Sequence, residues 1–110
     1  MKNVLILVAM LFLGTSAMAQ NAAEQLSHKI ADKMRDTLDL RTEQRNMIYG
    51  LNMQLYHQKA QARSESKSPD SVRVKIQRIE NGRDSLYKAV LTDAQYRLYL
   101  SRKRSLINNN

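Results

Sequence analysis

The sequence predicts an all-α fold: a long antiparallel helical hairpin with shorter helices flanking it. Three observations lead there. Apolar residues recur every three or four positions, with no sustained alternation of the kind a strand requires. Helix breakers are scarce, with only Gly50, Gly82 and Pro69 after residue 19. Finally, Leu91-Thr92-Asp93-Ala94-Gln95 reads as a helix start, and a weaker echo of it stands at Leu40-Arg41-Thr42-Glu43-Gln44. In the first of these, the Thr92 hydroxyl can accept from the Gln95 N–H. The Gln95 side chain can reach back to the Thr92 N–H, which closes a capping box with Leu91 and Tyr96 as a hydrophobic staple. A recurring helix start suggests one supersecondary unit used twice.

Residues 1–19 read as an export signal. Lys2 supplies the charge, Val4 to Leu13 the apolar run, and Ala17-Met18-Ala19 a small-x-small cleavage site. The run is shorter than the ~20 apolar residues that span a bilayer. Cleavage after Ala19 would leave an exported chain, with a helical domain over residues 20–107 and a disordered tail at residues 108–110. With no cysteine in the chain, neither a lipid anchor on cysteine nor a disulfide framework is available.

Segment one runs from about Ala22 to Leu38, with Leu26, Ile30, Met34 and Leu38 repeating every four residues. Segment two runs from about Thr42 to Ser64. Met47, Ile48, Leu51 and Leu55 form its stripe, and Tyr49, Met53 and Tyr56 widen it. The polar stretch Ser64 to Ser71 contains Pro69 and ends the helix, with Asp70 or Ser71 able to cap the next one. Segment three, about Ser71 to Val90, turns Val72, Ile76, Ile79, Leu86 and Val90 inward. Segment four begins at the Thr92 cap and carries Gln95, Leu98 and Arg102 on one row, near Tyr96, Tyr99, Leu100 and Leu106. A short polar link between two long helices folds them back antiparallel. That geometry sets Gly50 roughly level with Gly82, where the two glycines either permit close approach or bending, or are tolerated surface positions.

After residue 19 the chain holds 17 basic and 10 acidic side chains, and residues 72–110 alone hold nine bases against three acids. Arg73, Lys75, Arg78, Arg83, Lys88, Arg97, Arg102, Lys103 and Arg104 carry this surplus. An exported protein rarely meets nucleic acid, so the expected partner is an acidic client chain or an anionic membrane surface. Packing material is thin: after residue 19 there is no Phe and no Trp, only three Met and five Tyr. A small helical chain of this kind leaves either a shallow apolar face or one covered by a second copy. Met34 and Met47 fall within the apolar stripes and read as core. Met53 and Tyr56 lie off the strongest row and read as exposed, adaptable contacts.

Nothing in the sequence supports catalysis. There is no phosphate loop and no nucleophile motif, and the carboxylates are scattered among bases, so no cofactor is expected. His28 and His57 stand apart without ligand spacing, and no metal site is read from them within one chain.

The paired motifs, the export signal and the basic helical pattern together resemble the Spy/CpxP family of periplasmic stress chaperones and regulators. Leu91-Thr92-Asp93-Ala94-Gln95 fits that family's Leu-Thr-x-x-Gln motif in full. Its surroundings, Arg83 to Val90 before it and Tyr96-Arg97-Leu98-Tyr99 after it, also resemble family members. Leu40 and Gln44 match in the first copy, where Arg41 stands in place of the capping threonine and Asp39 or Thr42 is the expected cap. The resemblance implies the periplasm as the compartment and a cradle-shaped homodimer of long antiparallel helices. The implied function is ATP-independent binding of unfolded or misfolded envelope proteins on a basic, apolar-dotted concave face. Met53, Tyr56, Arg73, Lys75, Arg78, Arg83 and Lys88 are the client-binding candidates. An alternative within the same family is a regulator that binds the sensor domain of an envelope-stress histidine kinase.

Overall fold

The structure is a computed structural model that describes the backbone of residues 2–108 and the side chains of residues 17–107. Most side chains of the expected export signal, and residues 109 and 110 of the expected tail, lie outside the described residues. Every element among the described residues is helical. They are α1 (Lys2–Leu38), α2 (Thr42–Glu65), α3 (Pro69–Lys88), α4 (Asp93–Lys103) and a π-helical turn (Arg104–Asn108). The molecule is elongated, 59 × 34 × 23 Å.

α1 is continuous through residue 20, so the helix expected from about Ala22 is the C-terminal part of a longer one. Its Ala-, Gln- and Glu-rich stretch before Leu26 favours helix and provides no stop. Its buried face is not the simple four-residue row. Ala23, Ser27, Ile30, Ala31, Met34 and Leu38 point inward, and Leu26 sits at the edge, 36% exposed. Small residues on this face let α2 approach closely.

α1 ends in a Schellman turn. Asp39 takes the left-handed conformation at φ 56°, and the Leu40 N–H reaches back to the Arg35 carbonyl at 3.2 Å. Asp39 therefore terminates α1 and does not cap α2. The N-cap of α2 is Arg41, whose side chain makes no capping bond. Guanidinium has donors only, so it cannot accept from the helix N–H groups.

The inward row of α2 is Gln44, Ile48, Asn52, Leu55 and Ala62, a stripe interrupted by two amides. Met47, expected in the core, is instead 55% exposed. It lies one residue before Ile48, and the helix turn carries it off the face that meets α1. α3 starts earlier than expected. Ser68 caps it, accepting from Ser71 N at 3.2 Å, and Pro69 occupies the first turn, where its fixed φ and missing N–H are harmless. The apolar residues expected inward on α3 are only half-buried, while Arg83 and Tyr87 occupy its deepest positions.

Asn52 pairs with Tyr87 and Lys59 with Glu80, so α2 and α3 run antiparallel. α1 and α3 both pack on α2; among the described residues their backbones stay apart, although both contribute side chains to one shared core. The closed end of the molecule holds the main core. There Met34 and Leu38 of α1, Ile48 of α2, Tyr87 and Leu91, Tyr99 of α4, and Leu106 and Ile107 of the π-turn converge. The Tyr87 and Tyr99 rings meet edge to face, 5.1 Å between centroids at 74°.

The two glycines do not make a close approach. Gly50 is exposed, and a Cβ added at either glycine would meet nothing within 4 Å. Gly50 sits midway between Ile48 and Asn52, which puts it on the back of α2. Gly82 falls beside the inward row of α3, not on it.

Candidate functional site

The two motifs meet at the closed end. Gln44 Oε1 accepts from Arg41 N at 3.0 Å, and Gln95 Oε1 accepts from Thr92 N at 3.0 Å, so each glutamine closes the first turn of its own helix. Thr92 completes its box by accepting from Gln95 N at 3.2 Å, and Leu91 and Tyr96 both pack on the core below. The amide nitrogens then cross over. Gln44 Nε2 donates to Val90 O at 3.1 Å, and Gln95 Nε2 donates to Asp39 O at 3.4 Å. Each of these carbonyls lies two residues before the other helix's N-cap, so the arrangement is pseudo-twofold. Leu40 and Leu91 are both buried in the core beneath it. All five motif residues therefore act in one structural unit.

A polar seam runs from this end across the three long helices. Asn52 Nδ2 donates to Ser27 O at 3.0 Å, and the Tyr87 hydroxyl donates to Asn52 Oδ1. Arg83 Nη1 donates to the Tyr87 hydroxyl at 2.8 Å, and its Nε and Nη2 each hold Glu80 at 2.9 Å. Lys59 also donates to Glu80. Burial, together with the nearby Arg83 and Arg63 charges, pushes the Lys59 ammonium down to about 8. Buried polar groups that are all partnered fix the rotation of each helix as well as its contact. A second cluster ties α3 to α4, where Tyr99 donates to Asp84 Oδ1 at 2.8 Å and Lys103 pairs with the same carboxylate at 2.8 Å.

An open groove of ≈ 630 Å³ runs along α2 and α3. Leu55, Ala62, Ile79 and Leu86 make its floor, and Gly82 keeps it open. Gln54, Gln58 and Gln61 line the α2 side; Lys75 and Arg78 line the α3 side. Neither cation has a partner among the described residues. Around the back of α3, Arg73 and Arg78 flank Val74, which is 55% exposed.

The client-binding candidates do not form one stripe. Lys75 and Arg78 meet in the groove. Arg73 is exposed and pairs with Asp70 at 2.9 Å. Lys88 lies apart, with its Nζ 5.7 Å above the Tyr96 ring. Met53 and Tyr56 are half-buried, not exposed. Arg83 is a correction. Only 4% exposed and held by Glu80 and Tyr87, it cannot lie on a free basic face. Lys103 likewise is engaged with Asp84.

Sequence reasoning missed the glutamine wall and the inward turn of Arg83. The signal for the seam was present: Asn52 falls on the same helical row as Ile48 and Leu55, and a polar residue on an apolar row marks a buried network. His28 stacks on Tyr49 with 4.1 Å between centroids and contacts Arg45 at 2.8 Å, while His57 lies edge-on to Tyr56. Among the described residues no three His, Cys, Asp or Glu side chains cluster in a way that could hold a metal ion. No helix among them is long and apolar enough to cross a membrane. No protein-family profile, curated sequence or solved structure matches this chain.

Proposed function

We propose that this protein is an ATP-independent, chaperone-like binder of unfolded or misfolded envelope proteins, working in the periplasm after removal of residues 1–19. The observation that carries the reading is the α2–α3 groove. Its floor is apolar and open to solvent, and its α3 lip holds two cations with no partner among the described residues. A client segment needs such a surface: apolar area to cover its exposed side chains, and charge to speed the encounter. The opposite lip of glutamines offers donors and acceptors to whatever backbone lies there. Further apolar side chains stay open to water, among them Met47, Val74 and Leu100, at 55%, 55% and 46% exposure. In this reading they belong to the client face or to the contact between two copies in a cradle-shaped homodimer like that of the Spy/CpxP family.

The test is suppression of aggregation with several unrelated clients over a salt series, run beside a measurement of mass in solution. Protection at near-stoichiometric ratio should weaken as salt rises, because charges are screened within about 10 Å at 0.1 M. Lys75→Glu with Arg78→Glu should abolish most of the protection and leave the helical circular dichroism unchanged. Absence of protection for every client at every salt concentration rejects the proposal. Tight binding of one sensor domain without generic protection would instead identify a dedicated regulator.

A further inference from the structure

A second concavity, distinct from the groove, opens on the other side of α2. Because α1 and α3 both pack on α2 with their backbones apart, they leave a cleft between them beside the shared core. Four residues of one α2 face, Asn52, Tyr56, Lys59 and Arg63, form its floor. Leu26 and Ile30 of α1 make one wall and Arg83 of α3 the other. The cavity is more enclosed than the groove and holds ≈ 140 Å³. That is the space of about five waters at ~30 Å³ each, far below the several hundred Å³ of a nucleotide or cofactor pocket.

Its electrostatics are unbalanced. Lys59, Arg63 and Arg83 converge on it, and among the described residues Glu80 is the one carboxylate bonded to any of them. Arg63 has no partner among the described residues. Arg83 donates through Nε, Nη1 and Nη2 once each, which leaves two of its five N–H groups unused. Lys59 donates once, to Glu80, and so keeps spare donors. Opposite these donors the α1 wall presents Leu26 and Ile30, with Ser27 between them.

We propose that this cleft is a binding site for a small apolar carboxylate of about four to six carbons, sized to the space of those five waters. The carboxylate accepts from Lys59, Arg63 and the unused Arg83 N–H groups, and the hydrocarbon end lies against Leu26 and Ile30. Three convergent cationic donors select for an anion, and the apolar wall selects against sulfate or phosphate. The site is independent of the groove and of the chaperone reading.

The test is titration of the purified protein with hexanoate, followed by thermal shift and by heteronuclear NMR. Hexanamide, sulfate and N-acetylleucine serve as comparisons. Hexanoate should raise the melting temperature saturably and shift the amides of Tyr56, Lys59, Arg63 and Arg83. Hexanamide and sulfate at matched ionic strength should do neither. Arg63→Gln removes an exposed side chain with no internal bond, so the variant folds, and it should weaken hexanoate about tenfold, the loss of one charge-assisted contact. Equal responses to hexanamide or sulfate, or unchanged hexanoate affinity in Arg63→Gln, would overturn the site. Tighter binding of N-acetylleucine, which stands for a chain terminus, would overturn the assignment to a free acid.

Discussion

Gln44 and Gln95 exchange one hydrogen bond in each direction, Gln44 Nε2 to Gln95 Oε1 at 2.7 Å and Gln95 Nε2 to Gln44 Oε1 at 3.3 Å. Each also serves the backbone on both sides of the contact, so neither can be removed without stranding groups of the other. Gln44→Ala and Gln95→Ala should each destabilise the protein by about 1–3 kcal/mol, the cost of buried polar groups left unpaired. The double variant should lose less than the sum of the two, with a coupling of at least ~0.5 kcal/mol in urea denaturation. Gln44→Glu should be worse than alanine at neutral pH, because a carboxylate has no N–H for Val90 O.

Arg41 occupies an N-cap without any acceptor. Arg41→Thr restores one, and the bond from Gln44 to the Arg41 backbone N–H survives the change. A gain of about 0.5–1 kcal/mol is expected, the usual worth of a capping hydroxyl, and would be read as a higher urea midpoint at constant slope.

Asp39 carries the single positive φ among the described non-glycine residues. Glycine adopts that conformation without a Cβ penalty, and the carbonyl that Gln95 uses belongs to the backbone. Asp39→Gly should therefore stabilise the protein by about 1 kcal/mol. A loss of stability would mean that the aspartate side chain matters to the turn.

Gly50→Ala and Gly82→Ala should each stabilise by up to ~1 kcal/mol, since both sit inside helices and a Cβ at either meets nothing within 4 Å. The two differ in function. Gly82 lines the groove, so Gly82→Trp should block client protection, whereas Gly50→Trp should leave it intact.

The pH dependence follows from five groups. Lys59, lowered from 10.5 to about 8, loses its proton in the folded chain before the unfolded one, so its contribution to stability rises between those values. Burial pushes the Tyr87 and Tyr99 phenols up, and the Asp84 carboxylate beside Tyr99 adds to it. Above the ordinary tyrosine value of about 10, the unfolded chain therefore sheds protons that the folded chain keeps, and stability falls as pH rises. At the acid end, the hydrogen bond from Arg45 holds the Asp32 carboxyl low. Burial raises Asp84, but the bonds from Lys103 and Tyr99 outweigh it and the net direction is down. The contribution of both carboxylates is present above their ordinary value of 3.8 and disappears as pH falls below it. Urea midpoints measured from pH 2 to 11 should decline at both ends, and Tyr99→Phe should flatten the alkaline decline.

The helices, the Thr92 box and the staple at Leu91 and Tyr96 were legible because they are local: a hydroxyl, an amide and two apolar residues at set spacing suffice. The pairing of the two glutamines was not, since it depends on how far α2 and α4 travel before they meet. Arg83 shows the same limit. Read along the chain it is one more base among many, and only the approach of Tyr87 and Glu80 turns it into an interior residue. Met47 and Leu26 were misplaced because the adjacent Ile48 and Ser27 took the inward positions. The groove was foreseeable as incomplete burial, but its glutamine lip was not, because an amide on a helix surface carries no signature of what it faces.

The edge-to-face packing of Tyr87 on Tyr99 makes the closed end its own optical probe. The chain has no tryptophan, and its one phenylalanine, Phe12, lies within the expected export signal. Near-ultraviolet dichroism of the processed protein must then come from tyrosine alone, and the two fully buried rings dominate it. Tyr99 donates to the Asp84 carboxylate, so its emission should rise when that bond breaks, and assembly of this end can then be timed without adding a label.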